Sequence, residues 1–125
     1  MQDEHSAHGL VRTTRWPRPD LVLVDLRGDL DLATAPPLTT YLRELTRNRV
    51  DHLVLDMRSV TFLASSGLTT LVTALAEAPH PDRVHLLGVA GNRVVRRILQ
   101  LTQVGDRFVE HDDLDALLRE LDAGR

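Results

Sequence analysis

Residues 52–75 read HLVLDMRSVTFLASSGLTTLVTAL. The first five, His52 to Asp56, form a short apolar run that suits a strand buried on both faces, as the central strands of a parallel sheet are. From Leu68 the period changes. Leu68, Leu71, Val72 and Leu75 fall at i, i+3, i+4 and i+7, the apolar stripe of a helix, and Pro79 and Pro81 end it. The junction between the two patterns carries Ser65, Ser66 and Gly67. Either serine can be an N-cap, its hydroxyl accepting from an amide two or three residues on. A helix N-terminus also suits a phosphate, because its free N–H groups and partial positive charge favour an anion. The positions expected to face outward, Thr69, Thr70, Thr73 and Ala74, are small and uncharged, as close approach by a partner requires. Spacing does not choose between cap and switch, and the two are compatible.

The strand-then-helix pattern recurs on both sides of this stretch. Upstream, Leu21 to Leu26 (LVLVDL) reads as a strand closed by Gly28. A helix follows over residues 33–48, with Thr34 as N-cap, prolines in its first turn and Leu38, Leu42 and Leu45 on one face. Downstream, Arg83 to Leu87 is a strand. Asn92 to Leu101 is a helix with Val95, Ile98 and Leu99 inward and Arg93, Arg96, Arg97 and Gln100 outward. Phe108 to Glu110 reads as a short strand, and Asp112 caps a last helix carrying Leu114, Leu117, Leu118 and Leu121. Leu10 to Arg15 adds a short strand, and residues 1–9, polar and aperiodic, read as a flexible N-terminal tail. The order predicts one α/β domain over residues 10–121. Its mixed sheet has four to five strands, parallel in the centre, packed with about four helices.

Composition removes several classes of function. With no cysteine among 125 residues, disulfides, thiolate metal sites and cysteine nucleophiles are excluded. The net charge of −3 argues against nonspecific nucleic-acid binding, and the arginines of residues 93–97 read as a solvated face. No apolar run approaches the roughly 18 residues of a membrane span, and the N-terminus has no signal-like apolar region, so a cytoplasmic location is expected. The chain has no lysine, hence no Walker motif. It also lacks the dinucleotide-binding glycine pattern and the G-x-S-x-G elbow around its serines. The histidines, at 5, 8, 52, 80, 85 and 111, show no metal-ligand spacing on a shared helix, and His52 and His85 read as structural. No catalytic constellation, metal site or cofactor signature emerges, so the chain reads as a binding module, not an enzyme.

Asp29 and Asp31, in GDLD, directly follow the strand at residues 21–26. Loops at the carboxyl ends of strands are where α/β sheets meet ligands and partners, and the Ser65 loop should open on the same edge if the strands are parallel. If the chain stays extended, both carboxylates point to one side. They could equally be turn and pre-helix acids.

Three blocks together, LVLVDLRGDLDLATAPPL (21–38), HLVLDMRSVTFLASSGLTTLVTAL (52–75) and VHLLGVAGNRVVRRILQLTQVGDRF (84–108), resemble the STAS domain family, and within it the stand-alone bacterial anti-sigma factor antagonists. The resemblance implies a protein that binds a cytoplasmic anti-sigma factor and thereby frees a sigma factor. The anti-sigma factor is typically an ATP-dependent serine kinase that phosphorylates the antagonist and dissociates the complex. By match to the motif Ser65 is the phospho-acceptor. Asp29, Asp31, Ser65, Ser66, Gly67, Thr69, Thr70 and Thr73 make up the expected partner surface, and the chain is expected as a monomer or weak dimer. Ala64 stands where the family loop carries aspartate, and the loop APHPD (78–82) replaces a glycine-rich turn. A phosphorylation-independent antagonist, a STAS-type sensor of a small ligand or nucleotide, and a subunit of a larger signalling assembly are the alternatives.

Overall fold

The computed structural model describes residues 2–48, 50–80 and 83–124, with the backbone alone at Gln2. Pro81 and Asp82, expected in the loop that ends the second helix, and Met1 of the expected tail lie outside the described residues. The chain forms β1 (Gln2–Ala7), β2 (Leu10–Arg18), β3 (Leu21–Leu30), α1 (Ala35–Arg47), β4 (His52–Leu63), α2 (Ser65–Glu77), β5 (Val84–Leu87), α3 (Arg93–Thr102), β6 (Val109–His111) and α4 (Leu114–Ala123). The six strands make one sheet in chain order. β1–β2 and β2–β3 are antiparallel, and β3–β4, β4–β5 and β5–β6 are parallel. The parallel centre and the four helices follow the sequence pattern.

The strand count does not. Residues 2–7, expected as a tail, pair with β2 from Gln2–Arg15 to Ala7–Leu10, giving six strands instead of four or five. Their side chains at Asp3 to Ser6 are exposed, so an edge strand facing water on both sides carries no apolar alternation to reveal it. β3 also does not close at Gly28. That glycine sits within the strand at φ +112, where a Cβ would collide with the carbonyl of Gly9 in the β1–β2 turn.

Alternation along the central strands sorts the core into two layers. Val22, Val24, Leu53, Leu55, Val84 and Leu86 face one side. There they meet Leu38, Leu42 and Leu45 of α1, Leu71 and Leu75 of α2, and Val95 and Leu99 of α3. Leu21, Leu23, Val54 and Leu87 face the other side, where Leu117 of α4 covers them. β4 is longer than its apolar run because it pairs with β3 through two register shifts, next to Asp25/Arg27 and Gly28/Asp29. Asn92, the N-cap of α3, secures the first irregular stretch: its amide donates to the carbonyls of Met57 and Val60 at 2.8 and 2.9 Å, and its Oδ1 accepts from the Val95 amide. The cap of α4 is Asp113, not Asp112, its carboxylate accepting from Ala116 N at 2.8 Å.

Candidate functional site

Parallel pairing of β3 with β4 brings their carboxyl ends together, with Asp29 opposite Phe62 and Leu30 opposite Leu63. The amide of Ala64 donates to the carbonyl of Leu30 at 2.8 Å and so extends the ladder one residue beyond β4. Helix α2 then starts at once. The N-cap is Ala64, in an extended conformation, and Ser65 and Ser66 are the first two helical residues. The expectation of a capping serine is therefore corrected: neither hydroxyl occupies the position from which an N-cap accepts. Ser65 is exposed and Ser66 half-buried.

Gly67 and Thr70, expected on the partner surface, face inward. A Cβ at Gly67 would lie 2.7 Å from Leu30 Cβ, 2.8 Å from Leu30 O and 2.9 Å from Leu63 Cδ1, so the glycine lets the helix lie against the ends of β3 and β4. Thr70 is 2 % exposed, its hydroxyl 2.8 Å from that of Thr39 on α1 and 3.3 Å from the Ala35 and Ser66 carbonyls. Ala74 is buried as well. The cause is α1, which packs along α2 and buries a wider stripe than the leucines alone define. Thr69 remains exposed, its hydroxyl donating to the Ser65 carbonyl at 3.0 Å, and Thr73 is half-buried.

The two aspartates reach this edge with different local duties. Asp29 accepts from the Thr61 hydroxyl at 2.9 Å, a bond across the β3–β4 pair. Asp31 lies past the strand in a bend, so strand alternation does not extend to it. Its Oδ1 accepts from the amides of Ala33 and Thr34 at 3.0 Å each, while its own amide donates to Thr34 Oγ1 at 2.9 Å. That reciprocal pair organises the turn into α1, as a capping box does. Thr34, the N-cap by position, spends its hydroxyl on this turn and on the carbonyl of Asp29 instead of on the helix. Both carboxylates are half-buried and can still be approached.

Two residues of this edge were not legible in the sequence. Leu32 is 78 % exposed and Phe62 51 % exposed, one next to Asp31 and the other opposite Asp29. With Ser65 they leave two apolar side chains and a hydroxyl exposed at the carboxyl ends of β3 and β4, the composition of a protein-binding patch more than of a small-molecule pocket. Phe62 lies on the face opposite Leu63 and outside the cluster that Leu117 of α4 covers, so its exposure depends on where α4 ends and carries no mark in the sequence.

The family model for the STAS domain matches residues 17–117, and the chain belongs to the STAS domain family. Among solved structures it is similar to an anti-sigma factor antagonist from Mycobacterium paratuberculosis, at TM-score 0.78 and 22% identity over 89% of this chain and 92% of that one. It is also similar to the anti-sigma factor antagonist SpoIIAA in its unphosphorylated form, at TM-score 0.68 and 18% identity over 86% and 94% of the two chains. The phosphorylated form of SpoIIAA, a Bacillus cell fate determinant, aligns at TM-score 0.67 and 17% identity over 86% and 97%. Among the described residues, no helix is long and apolar enough to cross a membrane.

Proposed function

We propose that this STAS protein is an anti-sigma factor antagonist that docks a cytoplasmic anti-sigma factor on the edge formed by Asp29, Asp31, Leu32, Phe62, Ser65, Ser66, Thr69 and Thr73, and that phosphorylation of Ser65 by that partner dissociates the complex. The observation that carries the reading is the placement of an exposed hydroxyl at the first helical position of α2, at the end of the sheet that also exposes Leu32 and Phe62. Phosphate there lies beside the unpaired amides of the first turn, so the helix tolerates it. It adds about −1.5 to −2 charges to a contact surface built on Leu32 and Phe62, which a partner pays for in desolvation and, if acidic, in repulsion. Ala64 stands at the N-cap in place of the family's aspartate and the first turn of α2 holds no acid, so no carboxylate at either place repels the phosphate.

The test is the intact mass of the protein after incubation with ATP and each candidate anti-sigma kinase from the same genome, beside a Ser65→Ala control. A gain of one phosphate that disappears in the control is the expected result. A stable complex by size-exclusion chromatography with no mass gain supports an antagonist released by other means. A second reading, a small-ligand sensor, draws on a cleft of about 370 Å³ bordered by Val89, Arg96, Leu99, Gln103, Asp106 and Glu110. A ligand-induced rise in melting temperature without any protein partner is the outcome that favours it.

A further inference from the structure

The turn between β1 and β2 stands at the same end of the sheet as Asp29. Ala7 pairs with Leu10, and the two residues between them, His8 and Gly9, hold φ +57 and +89, as a two-residue hairpin turn of type I′ requires. The carbonyl of Gly9 accepts from the Asp29 amide at 3.2 Å, while the Asp29 carboxylate accepts from the Thr61 hydroxyl. Asp29 is thus tied by its backbone to the turn and by its side chain to β4. Ala7 and His8 also border a small crevice with Thr34 and Pro37 at the start of α1. His8 and Gly9 are both exposed. A Cβ on Gly9 would stand 4.0 Å from Asp29 Oδ2 and, chain neighbours aside, would meet no other described residue within that distance.

We propose that His8 and Gly9 are a further part of the docking edge, so that the partner engaging Asp29 and Ser65 also rests on the β1–β2 turn. The inference rests on the reading of the protein as an anti-sigma factor antagonist. β1 gives the core nothing: Asp3 to Ser6 are exposed, and Leu10 is the first residue of either apolar cluster. What its pairing with β2 from Gln2 to Ala7 does is hold the turn in a fixed place beside Asp29, which lowers the ordering cost of any contact made there. His8 points the same way. Glycine takes a φ of +57 without cost, so the imidazole is carried on the turn against the local backbone preference. Area is the third consideration. A specific interface covers about 800 Å² and roughly 20–30 residues on each partner, far more than the residues already placed on the edge. The turn is the exposed surface bonded directly to Asp29.

The charges of the edge say what the partner brings to it. Among the described residues, neither Asp29 nor Asp31 forms an ion pair. A half-buried carboxylate that loses its remaining water in an interface needs a cation or donors in exchange. The partner therefore presents a basic side chain to Asp29, with apolar residues for Leu32 and Phe62. Gly9, bare beside Asp29 Oδ2, leaves room for the stem of that basic side chain, and His8 flanks it.

The experiment is cross-saturation from each unlabelled anti-sigma factor of the same genome into the full chain labelled with ²H and ¹⁵N, which reads the amides that touch the partner. The expected result is loss of signal at His8 and Gly9 together with Asp31, Leu32 and Ser65, and none in α4. Saturation at Asp31, Leu32 and Ser65 that spares His8 and Gly9 overturns the proposal and leaves the antagonist reading standing. Saturation at neither place, or no complex with any anti-sigma factor, overturns both. Two variants accompany it. Gly9→Asn sets a side chain beside Asp29 at a φ that asparagine tolerates better than most residues, and should weaken binding about tenfold. Retained exchange protection of the Asp29 amide shows that the turn is intact in it. His8→Gly removes the ring where glycine suits the backbone, and should weaken binding about threefold with no fall in melting temperature. Unchanged affinity in both variants counts against the turn as a contact.

Discussion

Gly67 and Leu30 are in contact closer than any other residue would allow: a Cβ on the glycine would stand 2.7 Å from the leucine Cβ and 2.8 Å from its carbonyl oxygen. The start of α2, and with it Ser65, is thereby seated on the end of β3. Gly67→Ala forces the helix away from backbone that cannot move freely. A loss of about 1–3 kcal/mol in chemical denaturation is expected, as for other overpacked sites. An unchanged midpoint would mean that α2 does not rest on β3.

Ser65 is exposed, so charge can be placed there at little structural cost. Ser65→Glu should keep the melting temperature within a degree or two while weakening binding of the anti-sigma partner about tenfold or more, the effect of a desolvated like charge or unpaired acid in an interface. Isothermal titration calorimetry reads it. Equal affinity for both forms would place Ser65 outside the interface.

Leu71 is fully buried between α2 and the sheet. Leu71→Ala should cost about 2–5 kcal/mol, the usual range for a leucine truncated in a packed core. Urea denaturation with an unchanged slope and a lowered midpoint is the expected record. No loss would place the α2 stripe on the wrong face.

Asn92 does three jobs with one side chain, donating to Met57 O and Val60 O and accepting from Val95 N. Asn92→Ala leaves two strand carbonyls and the α3 amide without these partners, and should cost about 1–3 kcal/mol. The exchange protection of the Val95 amide should fall with it; retained protection would show that the cap is dispensable.

The parallel centre and the helices were legible because apolar residues fell at strand and helix periods with strong punctuation. What escaped had no apolar signature or depended on packing. β1 is polar, so only its pairing with β2 defines it. Thr70 is small and polar, and its burial is set by α1, an element distant in sequence. Either serine could be read as the cap; that Ala64 holds that position, with Ser65 first in the helix, follows from Ala64 continuing the β-ladder to Leu30. Phe62 is exposed because it lies outside the cluster that α4 covers, and the placing of α4 is a matter of tertiary packing. His52, His85 and His111 are distant in sequence, and only strand order brings His85 to 3.0 Å from His52 and 3.2 Å from His111.

Glu110 gives the last prediction. It borders the cleft beside α3, its Oε2 near the position a Gly105 Cβ would take. Desolvation there, and to a smaller extent the charge of Asp106, raise its carboxyl above the ordinary carboxylate range. The folded state therefore holds this proton more tightly than the unfolded chain does. Below the ordinary range both states are protonated and the residue makes no pH-dependent contribution. As pH climbs from the ordinary value to the raised one, the unfolded state ionises first, and the protein loses stability by that difference. Glu110→Gln removes the loss. The variant should match the parent in acid, gain on it through that window, and keep a constant advantage at neutral pH. Melting temperatures of both proteins measured from pH 3.5 to 7.5 decide it: a constant offset across the range would show that the carboxyl titrates alike in both states.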